Sequence, residues 1–188
     1  MTQTHLPNIG LIGKLRAGKD EVARYLAEIY DYTRFAFGDA LKDDFHRRYP
    51  EIPREPKPRA GYKFHGQFMR EHLYEDIWIR RCLAEVKRQY YGSLDFRAVI
   101  TDVRQLNEAQ ALKSAGYTLV RVTAPDTVRI DRAIKSGDKF DYGDLMHGTE
   151  TALDGFPADF TVDNGGTLDR LYAQIDEIMA YLSGDWPE

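Results

Sequence analysis

A chain of 188 residues is long enough for one well-buried domain with inserted lids, and short for two independent cores. With 43% hydrophobic and 30% charged residues and a net charge of −4, it reads as a soluble globular protein whose balance argues against a general nucleic-acid binder, a local basic patch aside. Its single cysteine, Cys82, excludes a disulfide framework and a metal–thiolate cluster. The polar start MTQTHLP and the lack of a span-length apolar run lead us to expect no secretory leader, no membrane span and a cytoplasmic setting.

The first predicted strand, Asn8 to Gly13, runs into Gly13-Lys14-Leu15-Arg16-Ala17-Gly18-Lys19, the phosphate-loop pattern GxxxxGK between a strand and a helix. Gly13 and Gly18 allow backbone angles that turn amide N–H groups inward as an anion nest. The helix that follows, Gly18 to Tyr30, adds its N-terminal dipole and sets Val22, Tyr25, Leu26 and Ile29 on one face. Lys19 supplies a mobile point charge for β- and γ-phosphates. The next position, Ser or Thr in the usual pattern, is Asp20. An acid there suits a helix first turn, or it faces a cation held against bound triphosphate.

Further along, strands are expected at Thr33 to Phe37, Arg97 to Asp102, Thr118 to Thr123 and Phe160 to Asp163. Helices are expected at Ala40 to Arg48, His65 to Tyr91, Gln105 to Ala115, Thr127 to Ile134 and Leu168 to Leu182. This alternation predicts an α/β domain with a parallel sheet. Trp78, Cys82 and Val86, with Ile79 and Leu83, form a stripe that reads as core. Two stretches lack periodicity and read as lids or binding loops: Tyr49 to Tyr62, interrupted by Pro50, Pro53, Pro56 and Pro58, and Ser136 to Phe156. The first belongs to a basic patch of Arg47, Arg48, Arg54, Lys57, Arg59 and Lys63, which either draws phosphates into a cleft or is solvated. It is too poor in aromatics for a nucleic-acid platform.

The run AVITDVRQLNEAQALKSAG, residues 98 to 116, ends its apolar part at Asp102. That position should stand at the carboxyl end of a buried parallel strand, where open α/β sheets bind ligands. Asp102 can orient an acceptor or hold a Mg²⁺ shell, and Arg104 can neutralise phosphate; a loop ion pair or helix cap also fits both. Arg129 and Arg132 in TVRIDRAIK share a helical face and suit closure over a triphosphate, or a salt-bridged surface with Asp126 and Asp131. His65 and His72 share a face but no cysteine joins them, and His5, His46 and His147 are scattered, so no zinc site is expected. No GxSxG motif is present.

Together, the loop ending GKD, FAFGDALK at 35–42, VITDVRQLNEAQAL at 99–112 and DFTVDNGGTLDRLYAQI at 159–175 resemble the phage and bacterial deoxynucleoside monophosphate kinases. More distantly they are similar to animal phosphomevalonate kinase. The resemblance implies an α/β P-loop NTPase fold like that of the nucleotide kinases. A central five-stranded parallel sheet would be flanked by helices in one domain, 1–188, with an acceptor-binding region at about 38–92 and a lid at about 124–157. It departs from the family at Glu21, where many relatives carry Thr, and in FHGQFMREHLYEDIW, which follows the family pattern only loosely.

Carried over by position, the resemblance implies ATP and Mg²⁺, with Gly13, Lys14, Arg16, Ala17, Gly18, Lys19, Asp20 and Glu21 at the donor. Asp20 and Asp102 would serve the metal, and Lys19, Asp102, Arg104, Arg129 and Arg132 the transfer. Asp39, Lys42, Gln67, Arg70 and Trp78 would lie at the acceptor. The plainer roles remain open: Lys42 a solvated helix residue, Gln67 and Arg70 a polar face, Trp78 pure core. Lys135 and Lys139 are further lid candidates, and Glu150 in His147-Gly148-Thr149-Glu150 would anchor the lid. The implied activity is Mg²⁺-dependent transfer of the ATP γ-phosphoryl group to a nucleoside or deoxynucleoside monophosphate. Another small phosphorylated acceptor and a silent nucleotide-binding module are the alternatives. The implied partners are small-molecule nucleotides, with neither membrane nor nucleic acid, and a homodimer stays open.

Overall fold

The computed structural model describes residues 6–91, 95–136 and 152–184. Five strands, β1 (Ile9–Ile12), β2 (Tyr32–Phe35), β3 (Arg97–Ile100), β4 (Thr118–Thr123) and β5 (Phe160–Asp163), form one sheet in the order β2-β3-β1-β4-β5. Every pairing is parallel. The central strand β1 is buried along its whole length, as a strand covered by helices on both faces must be.

The helices are α1 (Lys19–Tyr30), α2 (Phe37–Arg48), α3 (Arg59–His72), α4 (Ile77–Tyr90), α5 (Leu106–Ser114), α6 (Asp126–Lys135) and α7 (Leu168–Ser183). Alternation along β1 divides the core between two layers. Ile9 and Leu11 join Val22 and Leu26 of α1 and Leu171, Ile175 and Met179 of α7. Ile12, on the other face, joins Trp78, Cys82 and Val86 of α4 and Ala109 and Leu112 of α5. No helix among the described residues is long and apolar enough to cross a membrane.

The expected single helix from His65 to Tyr91 is two helices. α3 starts earlier, at Arg59, and stops at His72; Leu73 leaves the helical region at φ −117°, ψ −82°, and α4 starts anew at Ile77. The break lets the chain fold back, so that the Trp78 indole N–H donates to the Gly66 carbonyl at 3.2 Å. A buried indole needs such a partner, and a straight helix would hold residues 66 and 78 about 18 Å apart. The proline-rich stretch is correspondingly shorter, ending before α3.

β1 lies between β3 and β4, the point at which successive crossovers leave in opposite directions. In such sheets the crevice beyond the strands' carboxyl ends takes ligands. The phosphate loop follows β1, Ala36 follows β2, Asp102 β3, Ala124 β4 and Asn164 β5, so five connections meet at one edge.

Candidate active site

The loop between β1 and α1 has the left-handed angles that its glycines permit: φ is +143° at Gly13 and +104° at Gly18, with Arg16 also positive at +62°. Both glycines are also required by crowding. A Cβ at Gly13 would come within 2.2 Å of the Val122 carbonyl oxygen, and one at Gly18 within 1.9 Å of the Asn164 amide nitrogen. The Lys19 ammonium donates to the Gly13 carbonyl at 2.5 Å and to that of Lys14 at 3.1 Å, which ties the side chain to the loop it serves.

The loop opens into a cleft of about 800 Å³. Arg16, Gly18, Lys19, Asp20 and Glu21 line it from the loop and the start of α1, and Arg34, Asp39, Lys42, Lys57, Asp102, Arg104, Arg132 and Asn164 line it from later segments of the chain. Seven cationic and four acidic side chains line it, a balance that favours an anion. Asp39 accepts from Lys42 at 2.7 Å and from Arg34 at 3.1 Å. Burial would raise its carboxyl, but those two cations outweigh burial and lower it, so it stays ionised and holds both side chains.

Asp102 has a structural duty of its own. Its two oxygens accept from the backbone N–H groups of Phe37 at 2.7 Å and Gly38 at 2.8 Å, the first amides of α2, which lack partners within the helix. Burial raises its pKa, against the pull of those amides and of Arg104. Glu108 does the same service for the next turn, accepting from Arg104 N–H at 2.7 Å and Gln105 N–H at 3.0 Å. Burial raises the Glu108 carboxyl too, opposed by those bonds and by the Arg70 charge. Glu108 thereby fixes the backbone from which Arg104 projects.

The remaining expected residues divide between the cleft lining and its surroundings. Gly13, Lys14, Ala17 and Arg129 line a separate cavity of about 260 Å³ behind the loop. Arg129 is only 3% exposed and binds Asp126 at 2.6 Å and the Leu15 carbonyl at 2.8 Å. Arg132 reaches the carbonyls of Arg16 and Ala17 at 3.3 and 3.4 Å and that of Asn164 at 2.9 Å. Both arginines thus hold carbonyls of the loop, Arg132 from within the cleft lining and Arg129 from outside it. Glu21 carries a hydrogen bond from Arg24 at 2.5 Å and another from the Tyr172 hydroxyl, and the Arg24 bond lowers its pKa most. Gln67 is exposed and bonds Glu71 at 2.8 Å, while Trp78 is buried. Neither they nor Arg70 line the cleft. Lys139 and residues 147–150 lie outside the described residues.

Sequence reasoning passed over Asn164, Arg34 and Thr101. Asn164 stood in the quoted run DFTVDNGG, where an Asn-Gly-Gly following a strand is the signal that could have marked it. Its amide reaches the Ala17 carbonyl at 2.9 Å from 147 residues away, a closeness no sequence period encodes.

Comparison with known proteins places this geometry. The fold matches shikimate kinase from Acinetobacter baumannii (TM-score 0.55, 17% identity, 98% of this chain and 97% of that one). It also matches a gluconokinase from Sinorhizobium meliloti 1021 (TM-score 0.58, 18% identity, 96% and 95%) and the tunicamycin resistance protein of Deinococcus radiodurans (TM-score 0.56, 16% identity, 92% and 95%). The chain has the P-loop kinase fold. In sequence it is 26% identical over 108 residues to the deoxynucleotide monophosphate kinase of Escherichia phage RB69, covering 57% of this chain and 38% of that protein's length. No family model matches.

A divalent metal suits the donor set modestly. No group of three or more His, Cys, Asp or Glu that could hold an ion exists among the described residues. Mg²⁺ asks for less, because it keeps waters and takes one or two carboxylates beside substrate phosphates. The exposed Asp20 lines the cleft next to Lys19, and each Asp102 oxygen retains a second lone pair beyond its amide bond.

Proposed function

We propose that the protein transfers the γ-phosphoryl group of ATP to the phosphate of a nucleoside or deoxynucleoside monophosphate. The observation that carries this reading is one cleft lined by cations from two parts of the chain: Lys19 with the phosphate loop, and Arg34, Lys42, Lys57 and Arg104 from β2 and the segments after β2 and β3. Two phosphorylated molecules need two such clusters facing a common space. The likeness to the phage deoxynucleotide monophosphate kinase supports a nucleotide as the acceptor, and the fold supports phosphoryl transfer.

In this reading the loop amides and Lys19 hold the donor's terminal phosphates, and Lys42, Arg34 and Arg104 draw in the acceptor phosphate. Asp20 would hold Mg²⁺, with Asp102 backing its water shell; the ion when bound neutralises the triphosphate oxygens. An acceptor phosphate oxygen is already ionised, so no strong general base is required. Alignment and charge neutralisation supply the rate. A groove of about 520 Å³ between α2 and α4 shares Arg34, Ala36 and Asp39 with the cleft and offers the body of the acceptor room. The single-domain organisation, the acceptor region at 38–92, the lid at 124–157 and a cytoplasmic site of action belong to the same proposal.

The test is ADP release from Mg·ATP against each ribo- and deoxyribonucleoside monophosphate, with phosphomevalonate and a no-acceptor control. Turnover is expected with one or a few monophosphates. Turnover with phosphomevalonate alone would move the acceptor outside the nucleotides, and ATP binding without turnover on any acceptor would make this a binding module.

A further inference from the structure

The carbonyls of the phosphate loop are fully accounted for. Those of Gly13 and Lys14 accept from Lys19, and that of Gly18 accepts from the Glu21 and Val22 amides as α1 begins. The three between them point away from the loop's own helix and are met by other elements. The Leu15 carbonyl accepts from Arg129 Nε at 2.8 Å and the Arg16 carbonyl from Arg132 Nη1 at 3.3 Å. The Ala17 carbonyl accepts from Asn164 Nδ2 at 2.9 Å and from Arg132 Nη1 at 3.4 Å.

These donors are themselves held. Arg132 Nη2 donates to Asn164 O at 2.9 Å and to Asn164 Oδ1 at 3.2 Å, which leaves the Asn164 amide only one way to face: NH₂ toward Ala17. The Asn164 backbone N–H donates to the Thr123 carbonyl at 2.7 Å, fixing the residue to the end of β4. Asn164 and Arg129 are 2% and 3% exposed, so neither is a surface contact that water could replace at little cost.

In a trans peptide the carbonyl of one residue and the N–H of the next lie on opposite sides of the plane. Fixing the Leu15 and Ala17 carbonyls on Arg129 and Asn164 therefore turns the Arg16 and Gly18 amides away from those side chains, and Leu15, Arg16 and Gly18 all line the cleft. We infer that Asn164 and Arg129, joined by Arg132, are positioning residues that hold the phosphate loop in its anion-binding form through the carbonyls of Leu15, Arg16 and Ala17. They present backbone amides to a phosphate that Asn164 and Arg129 themselves do not ligate. Preorganised donors of this kind cost no rearrangement when charge arrives. The inference rests on the phosphoryl-transfer reading for its ligand, though not for its geometry.

Two variants test it, compared with the unmodified full chain. Asn164→Ala removes the donor to Ala17, and Arg129→Lys keeps the buried charge while removing the Nε–H that meets Leu15. They act through different elements, so if one fails to fold the other decides. For each, the affinity for tripolyphosphate and for Mg·ATP is measured, together with the hydrogen exchange of the Ala17 amide, which donates to the Lys14 carbonyl at 3.1 Å within the loop. We expect binding of both ligands to weaken about tenfold, the loss of one well-made hydrogen bond's worth of positioning. Exchange of that amide should speed up while helices α1 and α7 keep their protection. The KM for ATP should rise with that of the acceptor unchanged. Wild-type affinity together with wild-type exchange in the folded variants would overturn the inference. Failure of the unmodified chain to bind either ligand would sink the phosphoryl-transfer reading instead, and amide exchange alone would then decide the positioning role.

Discussion

At the scale of single residues, Lys19 and Asp20 are adjacent and have opposite expected effects. Lys19 lines the cleft, and its two bonds to the Gly13 and Lys14 carbonyls fold it back over the loop. Lys19→Ala should lower turnover by at least about a hundredfold, the usual cost of removing a donor aimed at developing charge, while circular dichroism and the melting temperature stay near those of the parent. An inactive, unfolded variant would point to a structural role for the lysine. Asp20→Ala should shift the Mg²⁺ titration of activity to higher concentration; a superimposable titration would remove Asp20 from the metal. Asp102 differs from both, because its carboxylate caps α2 as well as facing the cleft. Its replacement would mix loss of a cap, worth about 1 kcal/mol, with any chemical effect.

Between elements, the strongest junction away from the cleft is Asp44, 2% exposed on α2. It accepts from His65 of α3 at 2.9 Å, from Arg48 at 2.9 Å, and from Arg81 of α4. One carboxylate thus pins three helices around the break at residues 73–76. Burial alone would raise its pKa, but hydrogen bonds from Arg81, His65 and Arg48 outweigh burial and hold it down from 3.8 to about 2. A depressed carboxyl contributes stability that is complete above its unfolded pKa, about pH 4, and is lost as pH falls through the folded value. Asp44→Asn should therefore lower stability at pH 7 by on the order of 3 kcal/mol, as when one partner of a buried pair is removed. It should also flatten the fall in stability between about pH 4 and pH 2. Denaturant melts across that window measure both, and equal acid limbs in the two proteins would show that the junction carries little.

For the whole molecule, the five strand ends converge on a cleft whose lining is net positive although the chain as a whole carries −4. A ligand that bridges connections after β1, β2, β3 and β5 stabilises the native state by mass action. At a hundred times its Kd, Mg·ATP should add about 2.7 kcal/mol, read as a rise in melting temperature. That rise should shrink with salt, because exposed charges are screened over about 8 Å at physiological ionic strength. No shift at saturating Mg·ATP would remove ATP as the ligand.

Much of this was legible along the chain. The sheet's strands, the phosphate loop and the first turn of α1 are local patterns, since short apolar runs, period-3.6 apolar spacing and paired glycines act over a few residues. The α/β class follows from them, and so does the placing of Asp102 and Arg104 at a strand's carboxyl end. The break between α3 and α4 was not legible, because Trp78 and Gly66 keep a continuous helical rhythm in sequence and only their mutual hydrogen bond requires the turn. The roles of Arg129, Arg132 and Asn164 were likewise decided by tertiary structure. The spacing of Arg129 and Arg132 on α6 predicts one shared face, but which loop carbonyls the two guanidinium groups meet, and that Arg132 lines the cleft while Arg129 does not, depends on how β4 docks beside β1 and β5 beside β4. The sequence by itself determined where a phosphate-loop pattern, its lysine and the strand-end side chains Asp102 and Arg104 stand along the chain. The packing of distant segments decided which side chains line the cleft and which hold the loop's backbone, because burial and hydrogen-bond closure act between residues that no periodicity connects.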